Sequence, residues 1–190
     1  MKTIIVYAHP WEGSFNHAVL DALKKGLEGQ DFEVIDLYED GFNPGYSAKE
    51  LAIFGKGEYL DPLVGKYQRI LDTADRIFFV FPTWWNTMPA ILKGFFDKVF
   101  LKGWAYNDPI GPGNGLLGHI KDARIFVTMN TPGWLYKLIM KPVYTRYMGQ
   151  WILRLCGVRK VKVYPLCSIY GISTEKRKEY LDKVERLAGK

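Results

Sequence analysis

Two cysteines stand in 190 residues, Cys156 and Cys167, and neither belongs to a C-x-x-C pair or has a histidine close by. That spacing excludes a zinc ribbon and a thioredoxin-type dithiol. No metal site is expected, and two free thiols suit a cytoplasmic protein. Long apolar runs are also missing: Asp75, Arg76, Lys93 and Asp97 interrupt the best region, so no membrane-spanning segment is expected. Met1-Lys2 before "TIIVYA" is too short for a signal peptide. Internal repeats and low-complexity tracts are absent. With 48% of residues apolar and 24% charged, the chain reads as one globular domain over 1–190.

The lysine-bearing phosphate loop is lacking as well. "GNGLLG" (113–118) fits G-x-G-x-x-G, but it follows no strand and opens no helix of a βαβ unit, so the dinucleotide fingerprint lacks its context. Carboxylates vanish between Asp122 and Glu175, where Arg124, Lys137, Lys141, Arg146, Arg154, Arg159, Lys160 and Lys162 stand, in a chain of net charge +6. Such a field attracts anions, and a solvated basic surface is the plainer reading. The stretch carries no recognition motif, so no nucleic-acid partner is expected.

What is present is patterned. Apolar runs of strand length recur at 3–8, 32–37, 76–81, 123–128 and 160–166. The first, third and fourth are nearly continuous, as in strands buried on both faces. Between them, Phe15, Val19, Leu23 and Leu27 fall on one helical face, and Leu92, Phe95, Phe96 and Val99 repeat the pattern after Pro89. Leu181, Val184, Leu187 and Ala188 repeat it behind a capping candidate at Ser173-Thr174. Alternating strands and helices predict an α/β doubly wound five-stranded parallel sheet, helices on both faces, in the flavodoxin-like order 2-1-3-4-5. Ligands of such sheets bind outside the carboxyl ends of strands 1 and 3. Residues 40–60 and 103–120 read as long loops. Twelve Tyr, eleven Phe and six Trp exceed what the core needs, and flat ligands or subunit interfaces use such rings.

Three post-strand loops carry the chemistry. In "YAHPWEGSFN" (7–16), Ser14 is placed to cap the helix starting at Phe15, whose first N–H groups lack partners and favour an anion. Ser14 and Asn16 add donors, and His9 adds a ring N–H. A solvated, ordinarily capped turn is the alternative. "FPTWWNTMPAILKG" (81–94) follows strand 3, and a flat heterocycle would lie against Trp85, edged by Thr83 to Asn86. A hydrophobic loop packed on a helix or subunit fits equally. "TMNTPGWLY" (128–136) offers donors from Thr128, Asn130 and Thr131, with Tyr136 a candidate acid. One loop suits a phosphate, one a flat ring and one a ring edge. Together they fit a flavin nucleotide.

"AHPWEGSFN", "FPTWWNTMPAILKGFFDKVF" followed by "GWAY", and "TMNTPGWLY" resemble the NAD(P)H:quinone oxidoreductases of the flavodoxin-like fold, the DT-diaphorase group, over roughly residues 2–187. The resemblance implies a non-covalent FAD or FMN, NAD(P)H as co-substrate, a quinone or similar acceptor, a homodimer, and a ping-pong hydride relay. It places His9, Ser14, Phe15 and Asn16 at the flavin phosphates. It places Pro82, Thr83, Trp84, Trp85 and Asn86 along the isoalloxazine, Trp85 also facing substrate. Thr128, Met129, Asn130 and Thr131 fall at the pyrimidine side, Tyr136 near the flavin as the catalytic residue, and Arg177 near the adenine of FAD. Tyr106 matches a tyrosine that reaches the substrate pocket across the dimer interface. The chain departs from the animal enzymes in three ways. Asn130-Thr131 replaces a glycine pair, Pro142 stands where their histidine partner of the tyrosine falls, and a C-terminal segment is lacking. A flavodoxin-like electron carrier or regulatory flavoprotein without quinone turnover is the other reading.

Overall fold

The computed structural model describes residues 1–109, 111, 113–140 and 143–190. Lys141, counted in the basic stretch, and Pro142, the unmatched histidine position, lie outside them. Five parallel strands, β1 (Thr3–Tyr7), β2 (Phe32–Asp36), β3 (Arg76–Pro82), β4 (Asp122–Thr128) and β5 (Lys160–Leu166), form one sheet in the order β2-β1-β3-β4-β5. The sequence-predicted order is the observed one. β1, β3 and β4 are buried along their whole length, which is why they read as continuous apolar runs.

Period-two alternation splits the sheet's side chains between two cores. Ile5, Tyr7 and Phe78 pack under α1 (Phe15–Gly26) and α6 (Thr174–Ala188). Ile4, Val6, Ile77 and Phe79 face α3 (Pro62–Asp72) and α4 (Ala90–Val99). Helices thus cover both faces. Ser173 does cap α6, its hydroxyl accepting from the Lys176 N–H. Pro89 stands one residue before α4 as its N-cap.

Three features differ from the sequence reading. The 40–60 stretch holds a short helix, α2 (Ala48–Phe54), begun by a capping box in which Ser47 and Glu50 serve each other's backbone N–H. α3, capped by Asp61 with Pro62 in its first turn, was not singled out. After β4, a single α-turn, α5 (Gly133–Leu135), passes into π-helical winding over Tyr136–Met140 and Val143–Arg154. That wider winding sends Tyr144, Met148 and Leu153 inward, at spacings of four and five residues.

Part of the positive charge is internal. Arg76 Nε donates to Thr3 Oγ1 (2.9 Å), and its NH1 donates to the Ala188 carbonyl (3.3 Å). Arg124 Nε bonds Asp122 (2.7 Å), and its NH1 reaches the Leu187 carbonyl. Both guanidinium groups also lie over the Phe78 ring. They satisfy carbonyls at the C-terminal end of α6, where cations belong. Arg124 therefore anchors a helix instead of contributing to an open anion-attracting surface.

Candidate functional site

The carboxyl ends of β1, β3 and β4 deliver three loops to one place. After β1, Ala8 donates to the Val80 carbonyl (3.0 Å), and the chain turns over residues 9–13. Trp11 N–H donates to His9 Nδ1 (3.1 Å), which leaves Nε2 as the protonated nitrogen of the neutral ring. Burial lowers the His9 pKa, so that neutral form prevails at pH 7. Ser14 has extended backbone angles, and its Oγ accepts the His17 N–H (3.1 Å), as an N-cap does. The N–H groups of Phe15 and Asn16 have no backbone acceptor among the described residues. Asn16 is buried, and its Oδ1 accepts from Thr128 Oγ1 (3.1 Å), so the first loop is tied to the end of β4.

The second loop is pinned at its root: Thr83 N–H donates to the Thr128 carbonyl (2.7 Å). Trp84 and Thr87 then exchange two backbone bonds (2.9 and 3.0 Å) around a two-residue turn. Trp85 (φ 47°) and Asn86 (φ 64°) both occupy the left-handed region there. That is the primed hairpin geometry, and it throws Trp85 wholly into solvent. Trp84 keeps its ring 6.0 Å from that of His9. Thr83 Oγ1 pairs with the hydroxyl of buried Tyr144 (2.8 Å), and burial raises that phenol's pKa.

The third loop is clamped to the one after β5. Met129 N–H donates to the Leu166 carbonyl (2.9 Å), Ser168 N–H to that of Thr131 (3.1 Å) and Ile169 N–H to that of Met129 (3.2 Å). This brings Ile169 and Tyr170 alongside α6, where Arg177 NH2 donates to the Ile169 carbonyl (2.7 Å). The Arg177 Nε is buried without a partner.

These loops enclose a cleft of about 450 Å³. His9, Ser14, Phe15 and Asn16 form one wall. Pro82, Thr83 and Trp84 form the second, and Thr128, Met129, Asn130 and Arg177 the third. No carboxylate lines it. An α-helix N-terminus, a guanidinium and no opposing negative charge make it a place for an anion.

Five of the sequence-predicted residues sit elsewhere. Trp85 and Asn86 lie at the exposed tip of their turn, and Thr131 is outside the wall, its carbonyl engaged by Ser168. Tyr136 lines a neighbouring cavity of about 390 Å³ against Val161, Val163 and Pro165 of β5. Tyr106 lines another, of about 270 Å³, with Phe96, Phe100 and Trp151. Conversely, Trp11, Gly13, Ile169 and Tyr170 belong to the cleft wall and were not named from sequence. Gly13 had a signal, since a glycine in a turn before a helix marks a close approach. A Cβ there would meet the Trp11 ring at 2.5 Å. Ile169 and Tyr170 had none, because only the β4–β5 clamp brings them in.

The family model for the flavodoxin-like fold matches residues 1–188. The chain is 30% identical over 186 residues to an uncharacterized NAD(P)H oxidoreductase of Haemophilus influenzae, covering 96% of this chain and 91% of that protein. It is 28% identical over 208 residues to NAD(P)H dehydrogenase [quinone] 1 of Rattus norvegicus, covering 95% and 74%. Among solved structures, the NAD(P)H:quinone oxidoreductase from Methanothermobacter marburgensis superposes with a TM-score of 0.87 at 28% identity, over 100% of this chain and 98% of that one.

Proposed function

The chain belongs to the family of the flavodoxin-like fold, and from that footing we propose that it is a flavin-dependent NAD(P)H oxidoreductase reducing quinones or similar acceptors. The observation that carries this reading is the convergence of the three loops on one carboxylate-free cleft. The cleft's chemistry fits a flavin nucleotide: unpaired N–H groups of Phe15 and Asn16, and a buried guanidinium nitrogen without a partner in its wall.

When bound, the flavin supplies two-electron hydride chemistry. The rest is the work of this chain's residues. Ser14, the free N–H groups of α1, Asn16 and His9 Nε2–H would hold the phosphate end. Pro82, Thr83 and Trp84 would flank the ring, with Thr83 held by its hydrogen bond to the Tyr144 hydroxyl. Asn130 in the wall would offer donors to the pyrimidine edge, the part of a flavin that becomes more negative when it is reduced. Donors set in place there lower the cost of that charge, and one such donor is worth roughly 3 kcal/mol. Burial raises the Tyr136 phenol and keeps it protonated, as a proton donor must be. Tyr136→Phe is expected to slow acceptor reduction, and an unchanged rate removes Tyr136 from the catalytic role.

The wall continues past the α1 N-terminus to Trp11, Tyr170 and Arg177, beyond what a mononucleotide's phosphate needs. This supports FAD over FMN, and chromatography of the released cofactor decides it. A homodimer is supported by the apolar side chains left exposed from Trp134 to Trp151, among them Leu138 and Ile139. Tyr106 would then serve the partner's pocket. Among the described residues no helix is long and apolar enough to cross a membrane, and two free thiols support a cytoplasmic setting. Donor and acceptor taking turns in one pocket predicts parallel double-reciprocal plots, and intersecting plots count against it. Absence of steady-state NAD(P)H oxidation in a flavin-loaded protein would favour the electron carrier.

A further inference from the structure

The bond between Thr83 Oγ1 and the Tyr144 hydroxyl (2.8 Å) joins side chains 61 residues apart. Thr83 belongs to the second wall of the cleft and is half-buried, its backbone already fixed by the bond to Thr128. Tyr144 comes from another element, the π-helical stretch Val143–Arg154, and is 2% exposed. Such winding is uncommon and recurs at functional sites. The Tyr144 ring packs edge-on against that of Phe81 in β3, centroids 5.6 Å apart. Packing thus settles where the ring lies, and the hydroxyl reaches the cleft wall from behind.

The direction of this bond follows from the supply of partners. Thr83 Oγ1 is the one hydrogen-bond partner of the Tyr144 hydroxyl among the described residues. A buried O–H needs an acceptor, so the phenol donates and Thr83 accepts. Burial raises the pKa of the phenol, against a smaller pull from the Thr83 bond, and the proton to be donated stays in place at pH 7. The Thr83 hydroxyl hydrogen is then left over, with no acceptor among the described residues and the cleft beside it. Without Tyr144, Thr83 could turn to another staggered rotamer and present its methyl group instead.

We propose that Tyr144 is a positioning residue of the flavin site: by donating to Thr83 it fixes that side chain and makes Thr83 a hydrogen-bond donor toward the bound ring. The proposal rests on the flavin reading. Tyr144 itself stays outside the lining of the cleft. A donor held beside the ring favours the more negative, reduced state over the oxidised one. Removing the phenol hydroxyl should therefore lower the reduction potential of the bound flavin as well as loosen it.

The test compares Tyr144→Phe, which keeps the ring against Phe81, with Thr83→Val, which keeps the shape of threonine, and with the double variant. Three quantities are read on the full chain: the flavin dissociation constant, the midpoint potential of the flavin-loaded protein, and the urea midpoint of the flavin-free protein. Each single variant should bind flavin about threefold to tenfold more weakly. Each should also move the potential to more negative values and lower the urea midpoint. The double variant should match the singles, because either change already breaks the pair. Thr83→Ser keeps the hydroxyl, so adding Tyr144→Phe to it should cost as much as in the wild type. Effects that multiply in the double variant overturn the proposal. So does weaker binding with an unmoved potential, which would make Tyr144 a packing residue alone. A wild-type chain that takes up no flavin defeats the flavin reading and this proposal with it; a wild-type chain that holds flavin as tightly as both singles defeats this proposal alone.

Discussion

Trp85→Gly should make the protein more stable. Trp85 sits at φ 47° in the two-residue turn closed by Trp84 and Thr87, and the next residue, Asn86, is at φ 64°. Both central positions of such a turn need the left-handed region, for which glycine is suited. Holding a non-glycine residue there costs roughly 1–2 kcal/mol. Glycine returns about 0.5–1 kcal/mol of that through its freer unfolded chain. The Trp85 side chain is fully exposed, so no buried area is lost. The net gain is about 0.5–1 kcal/mol, which raises the melting temperature by about 1–4 °C for a chain of this size. Urea unfolding of the apoprotein, followed by far-UV circular dichroism, measures it. A loss of more than about 1 kcal/mol would refute the strain argument. The same variant separates stability from function: if Trp85 lies against the flavin when it binds, the stabler protein retains flavin less well.

Ser14→Ala removes the cap on α1 and should cost about 1 kcal/mol of stability. It should also weaken retention of the flavin phosphate, read by equilibrium dialysis against FMN and FAD. Gly94→Ala should cost about 1–3 kcal/mol, because its Cβ would lie 2.3 to 2.5 Å from Pro44 and force the incoming loop off α4; a thermal melt checks it. The Lys98 ammonium, with the Ser47 bonds, holds Glu50 at about 2, below its ordinary 4.5. Lys98 is itself buried between Glu50 (2.9 Å) and Asp61 (3.3 Å). A folded pKa below the unfolded one stabilises above pH 4.5 and is lost as pH falls toward 2. Urea midpoints against pH should therefore drop through that window in the wild type and drop less in Glu50→Gln.

Most of the sheet was legible because burial on both faces leaves little but apolar residues in β1, β3 and β4. β2 and β5 were legible as shorter apolar runs at 32–37 and 160–166. α3 escaped notice although Asp61-Pro62 marks its start. Gly65, placed in its middle, weakens the helical pattern; a Cβ there would crowd the Tyr59 ring, which a half-exposed side chain can move to relieve. α2 escaped because none of its residues is buried, so it has no apolar stripe to betray it. At the cleft, residues adjacent in sequence to strand ends were within reach of pattern reasoning, and the structure brings Ser14, Asn16, Thr83 and Thr128 into one wall. Which of two neighbouring tryptophans turns inward was beyond it. That depends on a primed turn at a Trp-Asn pair, a sequence with no glycine to announce the geometry. The reach of Tyr170 and Arg177 into the same cleft depends on three hydrogen bonds between residues 37 to 40 positions apart along the chain, which no local pattern encodes.

The most direct test of the central claim is the visible absorbance of the purified protein, before and after incubation with excess FAD or FMN and gel filtration. The account predicts the bands of an oxidised flavin travelling with the protein and bleaching when NADH or NADPH is added without oxygen. A protein that stays colourless, and releases all added flavin on the column, would contradict it.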